Sequence, residues 1–129
     1  MMTNRPSVGG RRVLVVEDEA VIGLALSELV EDEGCEVCGP FTRSDQAIAW
    51  LDGGETPDVA IVDHILRDGP CIDLVRLLKA RGIPFVIYSG NSRHSDMPVE
   101  LQQATWLEKP GRYADLCETL ASVGASQAA

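Results

Sequence analysis

Three apolar runs in this chain close on an acid or a hydroxyl, and a fourth closes on a lysine. Glu17 and Asp18 follow Val13-Leu14-Val15-Val16, and Asp63 follows Val59-Ala60-Ile61-Val62. Ser89 follows Phe85-Val86-Ile87-Tyr88, and Lys109-Pro110 follows Trp106-Leu107-Glu108. Brought to one place, these groups would form a site for a divalent cation and a phosphoryl group. Crowded carboxylates repel and lift one another's pKa. A hard cation such as Mg2+ (or Mn2+) relieves that conflict, because it takes oxygen ligands and keeps several waters. Asp18 and Asp63 are the expected direct ligands, the backbone carbonyl of Ile65 a third, and Glu17 a ligand through water. Asp63, ending the central run, is the natural nucleophile for a covalent aspartyl phosphate. Lys109 and the Ser89 hydroxyl, with a nearby backbone N–H, would meet the equatorial oxygens on which phosphoryl charge develops. Taken singly, each residue has a plainer use: Asp18 or Glu19 as a helix cap, Ser89 in a turn, Lys109 in solvent. Their joint occurrence in this order favours the site.

The elements that must position them follow from periodicity. Short β-branched runs suit strands buried on both faces of a parallel sheet. Strands are expected near 12–17, 36–39, 58–63 and 84–88, with a fifth in the run 106–108. Helices are expected near 20–33, 44–51, 70–81, 99–103 and 113–123. In the first helix Val21, Leu24, Ala25 and Leu29 stand at helical spacing. Asp68-Gly69-Pro70 reads as a turn that places proline near the start of the third helix. The stretch after Ser89 holds Gly90, Asn91, Ser92, Ser95 and Pro98, so a short or irregular fourth helix is expected. Strict βα alternation implies an α/β, doubly wound, five-stranded parallel sheet of flavodoxin-like (βα)5 type, in the order 2-1-3-4-5. Its switch point lies between the first and third strands, where the acids fall. One domain over 11–123 is expected, with flexible termini at 1–10 and 124–129.

Composition narrows the function. The chain has 129 residues and a net charge of −9, with 20 acids against 11 bases. Such a charge disfavours a phosphate backbone, so no nucleic-acid partner is expected. No apolar stretch reaches the ~20 residues of a membrane span, and the polar start lacks a signal-peptide core; a cytoplasmic protein with no membrane contact is expected. Cys35 and Cys38 form a Cys-x-x-Cys pair, but residues three apart on a strand point to opposite faces, so they do not share a metal. His64 and His94 read as loop residues, and Arg11-Arg12 as a surface spot.

Together the motifs resemble the response-regulator receiver domain over about 11–123. That pattern has an acidic pair after strand one, an aspartate ending strand three, Ser or Thr ending strand four, and Lys-Pro after strand five. The resemblance implies a phosphoacceptor in two-component signalling rather than an enzyme acting on external substrates. It takes a phosphoryl group onto Asp63 from a sensor histidine kinase or a histidine phosphotransfer protein, and assists that transfer with its own Mg2+ site. It implies switch positions at Ser89 and Trp106 and a cis bond between Lys109 and Pro110. The first helix would face the kinase. The fourth helix, fifth strand and fifth helix would face an unknown downstream protein, in a stand-alone domain that is a monomer or weak dimer; a phosphate sink or shuttle in a relay, without its own output, is the other use it allows.

Three departures are visible. The switch position carries an indole, the loop after Asp63 lacks a commonly found proline, and Ile65 is too apolar to orient an attacking water, though Asn91 could. Ser89-Gly90 is similar to single-domain receivers with a shortened fourth helix, whereas Ile87-Tyr88 departs from them. A flavin binder is disfavoured by the acids at Glu17-Asp18-Glu19, where a phosphate loop would lie. A small-molecule phosphatase is disfavoured by Ile65, where a second catalytic acid would stand. A degenerate receiver used only as an interaction module is disfavoured by the complete acid, serine and lysine set.

Overall fold

The computed structural model describes residues 10–90, 96–109, 111 and 113–127. The chain alternates strand and helix: β1 (Arg12–Val16), α1 (Ala20–Asp32), β2 (Glu36–Phe41), α2 (Ser44–Asp52) and β3 (Val59–Val62). A small hairpin follows, β4 (Ile65–Leu66) and β5 (Gly69–Pro70). Then come α3 (Ile72–Ala80), β6 (Phe85–Ser89), α4 (Val99–Gln102), β7 (Thr105–Glu108) and α5 (Tyr113–Gln127). The main sheet runs β2-β1-β3-β6-β7 with every neighbour parallel, which is the order 2-1-3-4-5 of the five main strands. Alternation along each strand divides the core. Leu14, Val16, Ala60, Val62 and Ile87 face α2, α3 and α4, while Val13, Val15, Ile61, Val86 and Tyr88 face α1 and α5. Near-continuous burial of these strands follows from helices covering both faces.

The same alternation separates the cysteines. Cys35 packs into the α1–α5 side and Cys38 into the α2–α3 side, and none of the four cysteines is in a disulfide. The fourth helix is as short as its composition implies, a single turn at Val99–Gln102.

Four details differ from the sequence expectation. In α1, Val21 and Leu24 are 80% and 58% exposed, and the core stripe is Gly23, Leu26, Ser27 and Val30. Apolar residues almost surround this helix, and its inward face is chosen by the small ones. A Cβ on Gly23 would come within 3.2 Å of the Pro40 Cβ, so that face admits the closest approach. Pro70 lies in β5 rather than in the first turn of α3, because the Cys71 N–H donates to the His64 carbonyl at 2.9 Å and closes the hairpin. Gly69, at φ +120°, makes the turn. β2 continues past Gly39 to Phe41 through a cis Gly39–Pro40 bond and a register shift against β1. Finally, α5 runs to Gln127, past the Val123 end expected from apolar spacing. The expected cis bond at Lys109–Pro110, together with Asn91 and His94, lies outside the described residues. No helix among the described residues is long and apolar enough to cross a membrane.

Candidate functional site

β1 and β3 lie side by side with Val16 opposite Val62, so the residues that follow them emerge at the same carboxyl edge. The Asp63 N–H donates to the Val16 carbonyl at 2.9 Å, and the Glu17 N–H donates to the Phe41 carbonyl at 2.8 Å. These bonds carry the sheet ladder one residue past the strands and fix both acids at the rim. One oxygen from each of Glu17, Asp18 and Asp63 falls within 4.8 Å of the others. Glu17 and Asp63 are buried, and Asp18 is half-buried.

Lys109 enters from the end of β7. Its Nζ donates to Asp63 Oδ2 at 3.0 Å and to Glu17 Oε1. The ammonium also lies 5.5 Å from the centroid of the Tyr88 ring, a cation–π distance. Its backbone N–H donates to the Ser89 carbonyl at 2.8 Å. Ser89 is buried at the end of β6, one strand from Asp63. Ile65, two past Asp63, opens the β4–β5 hairpin with its side chain exposed. Trp106 is half-buried on β7, packed against the core, with its ring 5.5 Å from the imidazole of His64. The structure thus brings Glu17, Asp18, Asp63 and Lys109 into one contact set, and places Ser89, Ile65 and Trp106 around it.

Three acids around one ammonium leave excess negative charge in a poorly solvated place. Burial pushes Glu17 up to about 8, against the opposing pull of Lys109. Asp63 is also raised, by burial and then by its hydrogen bond with Asp18. Asp18 lies below its ordinary value: burial raises it, but hydrogen bonds with the Asp63 and Glu17 carboxyls and the Lys109 charge outweigh burial. Burial lowers Lys109, yet its two acidic partners outweigh that and hold it above its usual value. The pocket therefore favours retained protons wherever no further cation compensates it. An all-oxygen donor set, clustered and over-charged, fits a hard divalent ion.

Sequence reasoning missed the residues that hold the rim in place. Arg67 Nε donates to the Asp18 carbonyl at 2.9 Å, and its own N–H donates to the Thr42 carbonyl at 3.0 Å. Asp68 accepts the N–H groups of Ser44 and Asp45 at 2.8 and 2.9 Å, capping α2 from another loop. Which groups brace this loop had no local signature in the sequence.

Comparison with known proteins bears on the family and the fold. Residues 13–121 match the family model described as the response regulator receiver domain. The chain is 33% identical over 112 residues to a protein of Mycobacterium tuberculosis named "Transcriptional regulatory protein PdtaR". That match covers 82% of this chain and 53% of the relative, so the chain spans about half the length of the curated relatives it matches. A CheY-like receiver domain from Methanospirillum hungatei JF-1 superposes with a TM-score of 0.81 at 23% identity, covering 92% of this chain and 96% of that one. One from Methylobacillus flagellatus gives 0.73 at 26% identity, covering 88% and 98%. Matched through most of its length and carrying the acid and lysine positions at one sheet edge, the chain belongs to the response-regulator receiver domain family of two-component signalling.

Proposed function

We propose that the chain is a phosphoacceptor that takes a phosphoryl group from a phosphohistidine onto Asp63. The observation that carries this reading is the meeting of Glu17, Asp18 and Asp63 within 4.8 Å, with Lys109 on Asp63. Asp18, Asp63 and the Ile65 carbonyl would hold Mg2+ (or Mn2+), with Glu17 acting through water. When bound there, the ion compensates the crowded carboxylates and the charge of the phosphoryl oxygens. An ionised Asp63 oxygen attacks phosphorus, the P–N bond to the donor imidazole breaks, and the imidazole nitrogen keeps the electron pair. Lys109, already donating to Asp63, is placed to follow the charge onto the transferred group. The Ser89 hydroxyl at the end of β6 serves another phosphoryl oxygen.

Ser89 and Trp106 are the proposed switch pair. Trp106 bridges the core and the exposed edge of β7, beside His64, the residue next to the acceptor. The donor is a histidine kinase or histidine phosphotransfer protein, and the net charge of −9 directs output to a protein rather than a phosphate backbone.

Intact-mass measurement after incubation with Mg2+ and acetyl phosphate tests the proposal. One phosphoryl group is expected on the wild type, and none after Asp63→Asn or with EDTA. An unchanged wild-type mass across several small donors overturns it.

A further inference from the structure

We propose that Arg67 is a positioning residue for the acid pocket: from the acceptor's own loop it sets the peptide that carries Asp18. The inference rests on reading the pocket as a divalent-cation site. Asp18 belongs to the loop between β1 and α1, while Asp63 and Ile65 belong to the loop after β3. A cation held by both loops requires a fixed distance between them. The sheet fixes Glu17 and Asp63 through the bonds to the Phe41 and Val16 carbonyls. Asp18, one residue further out, is reached by Arg67 Nε at its carbonyl, 2.9 Å away.

Arg67 is well placed for this because its backbone is tied down. Its N–H donates to Thr42, and the next residue, Asp68, grips the first two N–H groups of α2. The β4–β5 pairing closes the loop, and Leu66 is buried in the core. The guanidinium therefore reaches Asp18 from a braced platform, and three loops of the carboxyl edge are tied together through residues 67 and 68. Rotation of the Asp18 peptide would swing its carboxylate, and sites that bind by geometry lose affinity for sub-ångström errors. Arg67 also brings positive charge near a cation site, which acts in the opposite sense. The two effects differ in sign, and so they can be told apart.

The test is calorimetric titration of Mg2+ into metal-free protein, with no phosphodonor, for wild type, Arg67→Ala and Arg67→Lys. Positioning predicts affinity about tenfold weaker in Arg67→Ala, the lower end of what partners of metal ligands contribute. Arg67→Lys, which keeps a donor and the charge, should recover part of it. Unchanged affinity with a lowered melting temperature would make Arg67 a purely structural brace and overturn the proposal. Tighter binding in Arg67→Ala would make it only an opposing charge, and overturn it too. If Arg67→Ala does not fold, Arg67→Lys decides alone: affinity weaker than wild type supports the proposal, and equal affinity overturns it. Wild-type protein that takes up no Mg2+ overturns the pocket reading itself, and this inference with it; uptake by wild type with unaltered variants overturns only the role of Arg67.

Discussion

The two ends of the sheet each hold one cation among several acids, and they put it to opposite uses. At the amino end Arg12 reaches outward: Nε to Glu36 at 3.1 Å, Nη2 to Glu55 at 2.9 Å and Nη1 to the Thr56 carbonyl at 3.1 Å. It lies 5.6 Å from the Trp50 ring, and its backbone N–H donates to Asp58. The acids there face water, which solvates whatever the guanidinium leaves uncompensated. At the carboxyl end Lys109 meets Glu17, which is 2% exposed, and Asp63, at 7%. Water is largely excluded, and one ammonium cannot balance three carboxylates. The exposed cluster fastens β1 to its neighbours and is individually weak. The buried one opposes stability until more positive charge arrives. Burial rather than charge count thus separates the candidate site from the staple.

The contrast breaks most visibly at Lys109. Lys109→Met should destabilise the metal-free protein at pH 8 by about 3–5 kcal/mol, as expected when a buried pair loses one partner. It should also slow phosphorylation by acetyl phosphate at least about tenfold. Denaturant melts at pH 8 and pH 5 check the first part. The loss should shrink at pH 5, where the carboxyls recover protons.

The pH dependence of the wild type sharpens the same point. Glu17 and Asp63 are raised in the folded state, so folding holds protons that the unfolded chain has released. Their contribution to stability is greatest below the ordinary carboxylate range. It is lost as pH rises toward the folded value of about 8 for Glu17. Thermal melts in EDTA should therefore fall in temperature from about pH 5 to pH 8. Melts in millimolar Mg2+ should fall less, so the stabilisation by Mg2+ grows with pH. A metal-free protein most stable at pH 8 would contradict the charge imbalance assigned to the pocket.

Asp18→Asn offers a smaller effect of unusual sign. An amide gives N–H donors to the neighbouring carboxyls in place of a third negative charge. The metal-free variant should be more stable than wild type at pH 8, by about 1–2 kcal/mol, while losing its Mg2+-dependent shift. Arg12→Ala should give the smallest change, one that 1 M salt largely erases. An Arg12 effect larger than the Lys109 effect would invert the comparison.

The pocket was legible in the sequence to an unusual degree. Glu17, Asp18, Asp63, Ser89 and Lys109 each close an apolar run, and parallel strands deliver such positions to one edge. The division of Cys35 and Cys38 between faces followed from strand periodicity alone. Other features had no local trace. Arg67 and Asp18 are 49 positions apart, and Asp68 caps a helix that begins 24 residues before it. The outward turn of Val21 and Leu24 contradicts simple apolar spacing. It follows from Gly23 fitting against Pro40, a contact no window along α1 contains.

By itself the sequence determined the order of the five main strands and their helices, the parallel topology and the polar residues at the carboxyl ends of β1, β3, β6 and β7, because these depend on local periodicity and on the handedness of βα connections. Only the tertiary structure decided which face of α1 is buried, which loops brace the acids, and how the pocket holds its protons. Those outcomes depend on desolvation and on charges and donors brought together from distant parts of the chain, and neither quantity exists until the chain has folded.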